Sequence, residues 1–248
     1  MAKKKLKILI SQPAPAGLHS PFTDLADKLN LNMSFQPFVK VEGETVKNIR
    51  IKKINIPSYS ALILTSRNAV NHYFRICDEM RITVPNSMKY FCISEAVSYY
   101  LQKYIAYRKR KIYSSNNDFG ELVEIMKKHE NDNFLLVSSN FIKEDIITQL
   151  DASEIKYTRG TFFKTVSSDL SKLKISKFDF LVFYTPRDID SLYENFPKFE
   201  QKDIQIAVFG KTTYEYAIQK GLHIAIAAPS KELPSMSMAL HSYFTKTK

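Results

Sequence analysis

Tyr59-Ser-Ala-Leu-Ile-Leu-Thr-Ser-Arg-Asn-Ala-Val70 reads as a buried-strand run, a hydroxyl-bearing turn and the start of a helix. It decides the fold because it has a counterpart: Phe178-Asp-Phe-Leu-Val-Phe-Tyr-Thr-Pro-Arg-Asp-Ile189 lines up with it 119 residues later. A second pair, Tyr90-Phe-Cys-Ile-Ser-Glu-Ala-Val97 and Ile206-Ala-Val-Phe-Gly-Lys-Thr-Thr213, is 116 residues apart. Two matches at nearly one offset predict two similar halves, each the size of a small domain.

Outward from these segments, short apolar runs alternate with helical spacing. Leu6 to Ile10 reads as a strand, followed by Phe22, Leu25, Ala26 and Leu29 on one helix face. Ala61 to Leu64 precedes Val70, Tyr73, Phe74 and Cys77, and Tyr90 to Ile93 precedes Val97, Tyr100, Leu101 and Tyr104. Phe134 to Val137, Phe180 to Phe183, Ile204 to Phe209 and His223 to Ala227 each lead into a further helical pattern. This alternation builds parallel sheets covered by helices on both faces. Ser34 to Val41 and Ile155 to Val166 are extended stretches rich in Phe, Thr and Lys. They read as two crossings, so the first strand belongs with the carboxy-terminal half. The expected fold is α/β: two similar parallel-sheet lobes joined by a two-stranded linker, one lobe discontinuous. The expected bounds are 1–36 with 168–248 for that lobe, 41–162 for the inserted one, and 37–40 and 163–167 for the linker strands.

The chain has 248 residues, 44 % apolar and 25 % charged, an ordinary globular balance that excludes a disordered or disulfide-scaffold protein. Its formal charge of +11 predicts an anionic partner. No apolar run approaches the ~18–20 residues of a membrane span. The basic amino terminus is followed by too short an apolar stretch for a signal peptide. Cys77 and Cys92 form no C-x-x-C pair, which predicts a cytoplasmic protein without disulfides.

Several chemistries lack their residues. The five histidines have no metal-ligand spacing, so no metal site is expected. There is no G-x-G-x-x-G, and Gln205 stands where a phosphate-binding P-loop ending at Gly210-Lys211-Thr212 requires its first glycine. What remains is a set of polar turns at the carboxyl ends of strands, where open α/β sheets bind ligands. Thr65-Ser66-Arg67-Asn68 starts one helix, Thr185-Pro186-Arg187 its counterpart, Gly210-Lys211-Thr212-Thr213 a third and Ser94-Glu95 a fourth. Helix amino termini offer unpaired N–H donors and partial positive charge to carboxylates or phosphates. A hydroxyl there either caps the helix or meets a ligand. Several such turns facing one cleft, with Arg67, Arg187 and Lys211 among them, point to an anion site. The run Tyr107-Arg-Lys-Arg-Lys-Ile-Tyr113 is read first as a charged edge strand and only second as a nucleic-acid surface.

These residues resemble the uroporphyrinogen-III synthase family. Leu64-Thr-Ser-Arg-Asn-Ala-Val70 looks like its first strand–turn. Asp203 to Thr213, then Gly221, Ala228-Pro229 and Pro234-Ser-Met236, look like its carboxy-terminal signature. The resemblance implies two α/β lobes and the closure of a linear tetrapyrrole, hydroxymethylbilane, to uroporphyrinogen III with inversion of the last ring and loss of water. It implies no cofactor, and a substrate with eight carboxylates. Carried over, Thr212 and Thr213 match the paired threonines and are the expected catalytic residues. Ser66, Arg67, Asn68, Thr185, Arg187, Gly210 and Lys211 are expected to hold substrate. The expected partners are that acidic tetrapyrrole and the enzyme that produces it, with the chain a monomer, no membrane and no nucleic acid. The sequence departs from the family pattern at Ser11-Gln12-Pro13, at Ser94-Glu-Ala-Val97 and at Phe163, which replaces a tyrosine. A second reading therefore keeps the fold for a binding or scaffold protein without catalysis.

Overall fold

A computed structural model of the protein describes residues 5–17 and 19–246. Lys3 and Lys4 of the basic amino terminus, and both outer bounds expected for the discontinuous lobe, lie outside the described residues. In chain order the elements begin β1 (Lys7–Ile10), α1 (Pro21–Leu29), β2 (Asn32–Phe35), β3 (Val39–Gly43), α2 (Val46–Ile51), β4 (Ala61–Leu64), α3 (Arg67–Glu79) and β5 (Lys89–Cys92). They continue with α4 (Glu95–Tyr100), β6 (Ile112–Ser114), α5 (Phe119–Lys127), β7 (Phe134–Ser139), α6 (Glu144–Ala152) and β8 (Tyr157–Ser167). The last are β9 (Phe180–Phe183), α7 (Pro186–Asn195), β10 (Gln205–Phe209), α8 (Lys211–Gln219), β11 (Ile224–Ala228) and α9 (Met236–Lys246).

The chain forms two compact units, Met1–Lys40 with Val166–Lys248, and Val41–Thr165. It passes from the first to the second within β3 and returns within β8. The first unit carries a parallel sheet in the order β11-β10-β9-β1-β2. The other sheet runs β3-β8-β7-β4-β5-β6, and its strands from β8 to β6 are parallel. The two-lobed α/β class read from the internal repeat is the class observed.

Alternation of side chains along each strand explains why helices cover both faces. In β4, Leu62 and Leu64 pack with Val70, Tyr73 and Ile76 of α3. Ala61 and Ile63 point the other way, toward Leu122 and Met126 of α5 and Leu150 of α6. In the first unit, Ile8 and Ile10 pack with Leu25, Ala239 and Leu240, while Leu9 meets Ile189, Leu192 and Ala217. The central strands β4, β7 and β9 are buried throughout, which suits continuous apolar runs rather than alternating ones.

Two local expectations change. The helix that starts at Glu95 ends at Tyr100 and tightens into a 3-10 turn at Leu101–Lys103. Tyr100 and Tyr104 both donate to Asn71 Oδ1, at 2.9 and 2.7 Å, and Tyr104 stacks on Phe74 with centroids 4.6 Å apart. Serving one acceptor from both phenols takes precedence over continuing the helix. Tyr99, whose place in a helical pattern suggests a packing residue, is instead 56 % exposed and stacks on Tyr107. The basic run forms a 3-10 turn, Lys109–Lys111, that leads into β6, the short edge strand of its sheet. Charge there discourages pairing with another chain.

Glu44, just past β3, ties three elements of the inserted unit together. Its buried carboxylate accepts from Asn48 Nδ2 at 2.6 Å and lies 2.8 Å from Lys164 Nζ, while Arg75 donates to its carbonyl at 2.6 Å. Burial alone raises the Glu44 carboxyl, but the bonds from Asn48 and Lys164 and the charges of Lys164 and Lys52 outweigh it and hold it low. A depressed folded-state value contributes stability above the ordinary value near 4.5 and loses it as pH falls through the folded value. Glu44→Gln is therefore expected to unfold earlier than the parent at pH 7, with the gap closing toward pH 3. Urea midpoints across that range check this; a pH-independent gap contradicts it.

Candidate active site

In the first unit, β1, β9 and β10 end beside one another, and the residues that follow them interlock. Asp188, the third residue of α7, is 2 % exposed. Its Oδ2 accepts from Ser11 Oγ at 3.0 Å, from the Tyr184 amide at 3.1 Å and from the Thr185 amide at 2.9 Å. Thr185 caps α7 by accepting from the Asp188 amide at 3.3 Å, which completes a capping box. From the other side, Thr213 Oγ1 donates to the Tyr184 carbonyl at 3.0 Å. The β9–α7 turn is thus held at both Tyr184 backbone groups. Burial raises the Asp188 carboxyl, against the opposing hydrogen bonds from Tyr184, Thr185 and Ser11. Burial also pushes the Tyr184 phenol up to about 12, so it stays protonated at neutral pH.

This network sorts the residues read from the sequence. Asp188 already fills the amino terminus of α7 with a carboxylate of the chain's own. Arg187 pairs with Asp190 at 3.0 Å and approaches Glu194 at 3.8 Å, so its charge is largely answered within the helix. Thr213 is 2 % exposed and its hydroxyl proton is spent on Tyr184. Thr212, by contrast, is exposed, as is Lys211, whose nearest acid is Glu215 at 3.7 Å. Among the described residues no side chain caps α8, whose cap position is Gly210 at φ +93°. The first amides of α8 consequently lack the side-chain acceptor that α7 has. Gly210 makes this possible, because an L-residue is strained at that φ. Gly210→Ala is expected to cost about 1–2 kcal/mol. Thermal or denaturant unfolding of the variant measures it; an unchanged midpoint removes the argument for strain.

The inserted unit has its own polar turns. Ser66 caps α3 by accepting from the Ala69 amide at 3.1 Å, which leaves its hydroxyl proton for another acceptor. Arg67 and Asn68 are exposed, with the Arg67 guanidinium carbon 5.3 Å from the centre of the Tyr100 ring. Beyond β4, β5, β6 and β7 lies a cavity of about 360 Å³ whose lining includes Ser66, Asn117, Ser138, Ser139, Lys143 and Phe163. Glu95 is exposed at the start of α4. The sequence reading missed Asn117 and Lys143, which follow β6 and β7 outside the internal repeat. It also missed Asp188, although Thr185-Pro-Arg-Asp188 is a readable capping box.

Among the described residues no three His, Cys, Asp or Glu side chains gather as a metal site, and no helix is long and apolar enough to cross a membrane. Two doubly wound α/β units, each with cationic and hydroxyl-bearing turns at the carboxyl ends of its strands, define a bilobal α/β protein suited to anionic ligands. The family model described as uroporphyrinogen-III synthase HemD matches residues 20–237. The chain belongs to the uroporphyrinogen-III synthase family. The uroporphyrinogen-III synthetase of Helicobacter pylori is similar in fold, with 15 % identity, 98 % of this chain and 100 % of that one covered, and a TM-score of 0.59. A mutant uroporphyrinogen III synthase from the extremely thermophilic bacterium Thermus thermophilus has 12 % identity, coverage of 97 % and 99 %, and a TM-score of 0.57. A search of curated protein sequences finds no match.

Proposed function

We infer that the protein carries out its family's reaction, cyclising hydroxymethylbilane to uroporphyrinogen III with inversion of the last ring and loss of water, in tetrapyrrole biosynthesis. The observation that carries this is the family match over residues 20–237, which takes in segments of both units. The test is direct. Freshly generated hydroxymethylbilane is supplied to the purified chain, the products are oxidised, and type I and type III uroporphyrin are separated. Spontaneous closure gives type I in the control. A catalytic excess of type III is expected; type I alone from folded protein overturns the reading.

We propose that catalysis is positioning plus electrostatic stabilisation. The uncapped amino terminus of α8, with Gly210, Lys211 and the Thr212 hydroxyl, receives a substrate carboxylate or the departing hydroxyl. Ser66, Arg67 and Asn68 of the inserted unit hold further carboxylates. Thr213, Thr185 and Asp188 shape the turn, and Arg187 adds a partly neutralised cation at its edge. The +11 charge of the chain favours capture of so acidic a substrate. We propose that the chain works as a monomer in the cytoplasm, the compartment being supported by its buried free thiols at Cys77 and Cys92. It takes substrate from the enzyme that produces hydroxymethylbilane, since a ligand that closes spontaneously to the wrong isomer favours short transit.

A further inference from the structure

A cavity of about 610 Å³ in the inserted unit is lined by none of the turn residues just described, although Asn71 on its wall is one helical turn from Arg67. It opens where β5 and β6 begin, between α3 from Asn71 onward and the segment that starts at Tyr104. The polar turns lie at the opposite, carboxyl ends of the same strands. Its volume is that of a small-molecule site.

The lining has two characters. One wall is apolar, built from Phe74, Ile82, Val84, Met88 and Ile105. The polar remainder is rich in donors. Arg75, Arg108 and Lys111 bring three positive charges against the single acid Asp78. Arg75 is engaged with Glu79 and the Glu44 carbonyl, and Lys111 donates to the Asn86 carbonyl. Arg108 is exposed and pairs with no acid among the described residues. Asn71 adds to the asymmetry: its amide oxygen takes the Tyr100 and Tyr104 phenols, which leaves the NH2 as its unengaged end. An acceptor-bearing ligand satisfies such a wall, whereas a cation or a pure donor leaves its groups unpaired.

We propose that this cavity is a binding site for a small aromatic anion: a flat apolar ring body against the Phe74–Ile105 wall, with a carboxylate or phosphate held by Arg108 and Lys111. Such a site gives the basic run from Arg108 to Lys111 a role beyond edge protection. The Arg108 guanidinium supplies a two-pronged, permanently charged fork for an oxyanion. Lys109 and Arg110, which do not line the cavity, add attraction that salt screens.

The probe is 8-anilinonaphthalene-1-sulfonate, titrated by fluorescence into the full-length folded chain. One saturable site per chain is expected. Arg108→Glu is expected to weaken it at least tenfold and Arg108→Lys much less, while Val84→Trp, which fills the apolar end, is expected to abolish it. Circular dichroism checks that each variant is folded, and Arg108→Glu is expected to leave type III uroporphyrin formation unchanged. Adenosine monophosphate and 1-naphthoate then compete with the probe; displacement by the first assigns a phosphate ligand and by the second a carboxylate, and adenosine alone is not expected to compete. Absence of saturable binding overturns the proposal, as does equal affinity in Arg108→Glu and the parent, displacement by neither anion, or displacement by adenosine as strong as by its monophosphate. A fall in type III formation in Arg108→Glu also overturns it, because the cavity then belongs to the substrate.

Discussion

Asp188→Ala is expected to lower the unfolding free energy by roughly 3–5 kcal/mol, enough to threaten folding of a marginally stable chain. The reason is arithmetic on donors. The amides of Tyr184 and Thr185 and the hydroxyl of Ser11 all point at one oxygen of Asp188, whose side chain is buried with that of Ser11, while Thr185 lies at the surface. Removing it leaves them unsatisfied, and each buried orphan costs about 1–3 kcal/mol. Asp188→Asn is expected to cost far less, because an amide oxygen can stand where Oδ2 stands. The pair of variants also has a pH signature. Burial raises the Asp188 carboxyl in the fold, so the folded state prefers the proton. A raised value contributes stability that is complete below the unfolded value and is lost as pH rises through the folded value. The parent should therefore lose stability relative to Asp188→Asn as pH rises through and above the carboxylate range. This is the opposite sign to Glu44, whose contribution appears as pH rises. Urea unfolding of parent and both variants at pH 4 and pH 7 separates the cases. A parent that gains on Asp188→Asn toward neutrality would show that hydrogen bonding, not burial, governs the carboxyl.

What could be read from the sequence follows from how locally each feature is encoded. The runs at 61–64 and 180–183 are apolar at every position, and each is followed by a hydroxyl and a helix. Such segments admit one interpretation, a buried parallel strand entering a helix, and both are that. Helix α2 is six residues long with Ile49 its one buried side chain, too little periodicity to read. The end of α4 is set by two phenols meeting Asn71, 29 and 33 residues away, a tertiary preference invisible in a local window. Helix phase explains the site. Thr213 is one turn before buried Ala217, and Asp188 one turn before buried Leu192, so both face the sheet. Thr212 is rotated by about 100° from Thr213 and looks outward. That phase was available in the sequence; the partners, Tyr184 and Ser11, were not, because they come from other strands.

The same phase argument makes the adjacent threonines separable by experiment, and Lys211→Glu combined with Thr212→Val is expected to lower kcat/KM for type III formation by about a hundredfold, or about 2.7 kcal/mol. Two contributions are removed together. The Thr212 hydroxyl is an exposed donor on the first turn of an uncapped helix, and a hydrogen bond to a charged group is worth about 1.5–3 kcal/mol. Lys211 alone contributes less, since its side chain is 89 % exposed and screened. Reversing its charge, however, places a carboxylate at the helix amino terminus, where it competes with substrate for the same amides, as Asp188 does at α7. Stability should barely change, because neither side chain is buried. Thr213→Val should do the reverse: it leaves the Tyr184 carbonyl without its donor and costs about 1 kcal/mol of folding free energy. Its effect on turnover arises only as the β9–α7 turn shifts. Initial rates of type III formation and thermal midpoints for the two variants therefore fall on different axes. Should the Lys211→Glu, Thr212→Val protein keep the parent's rate, the open end of α8 is not where substrate binds, and the cavity beside Ser66 and Lys143 becomes the stronger seat.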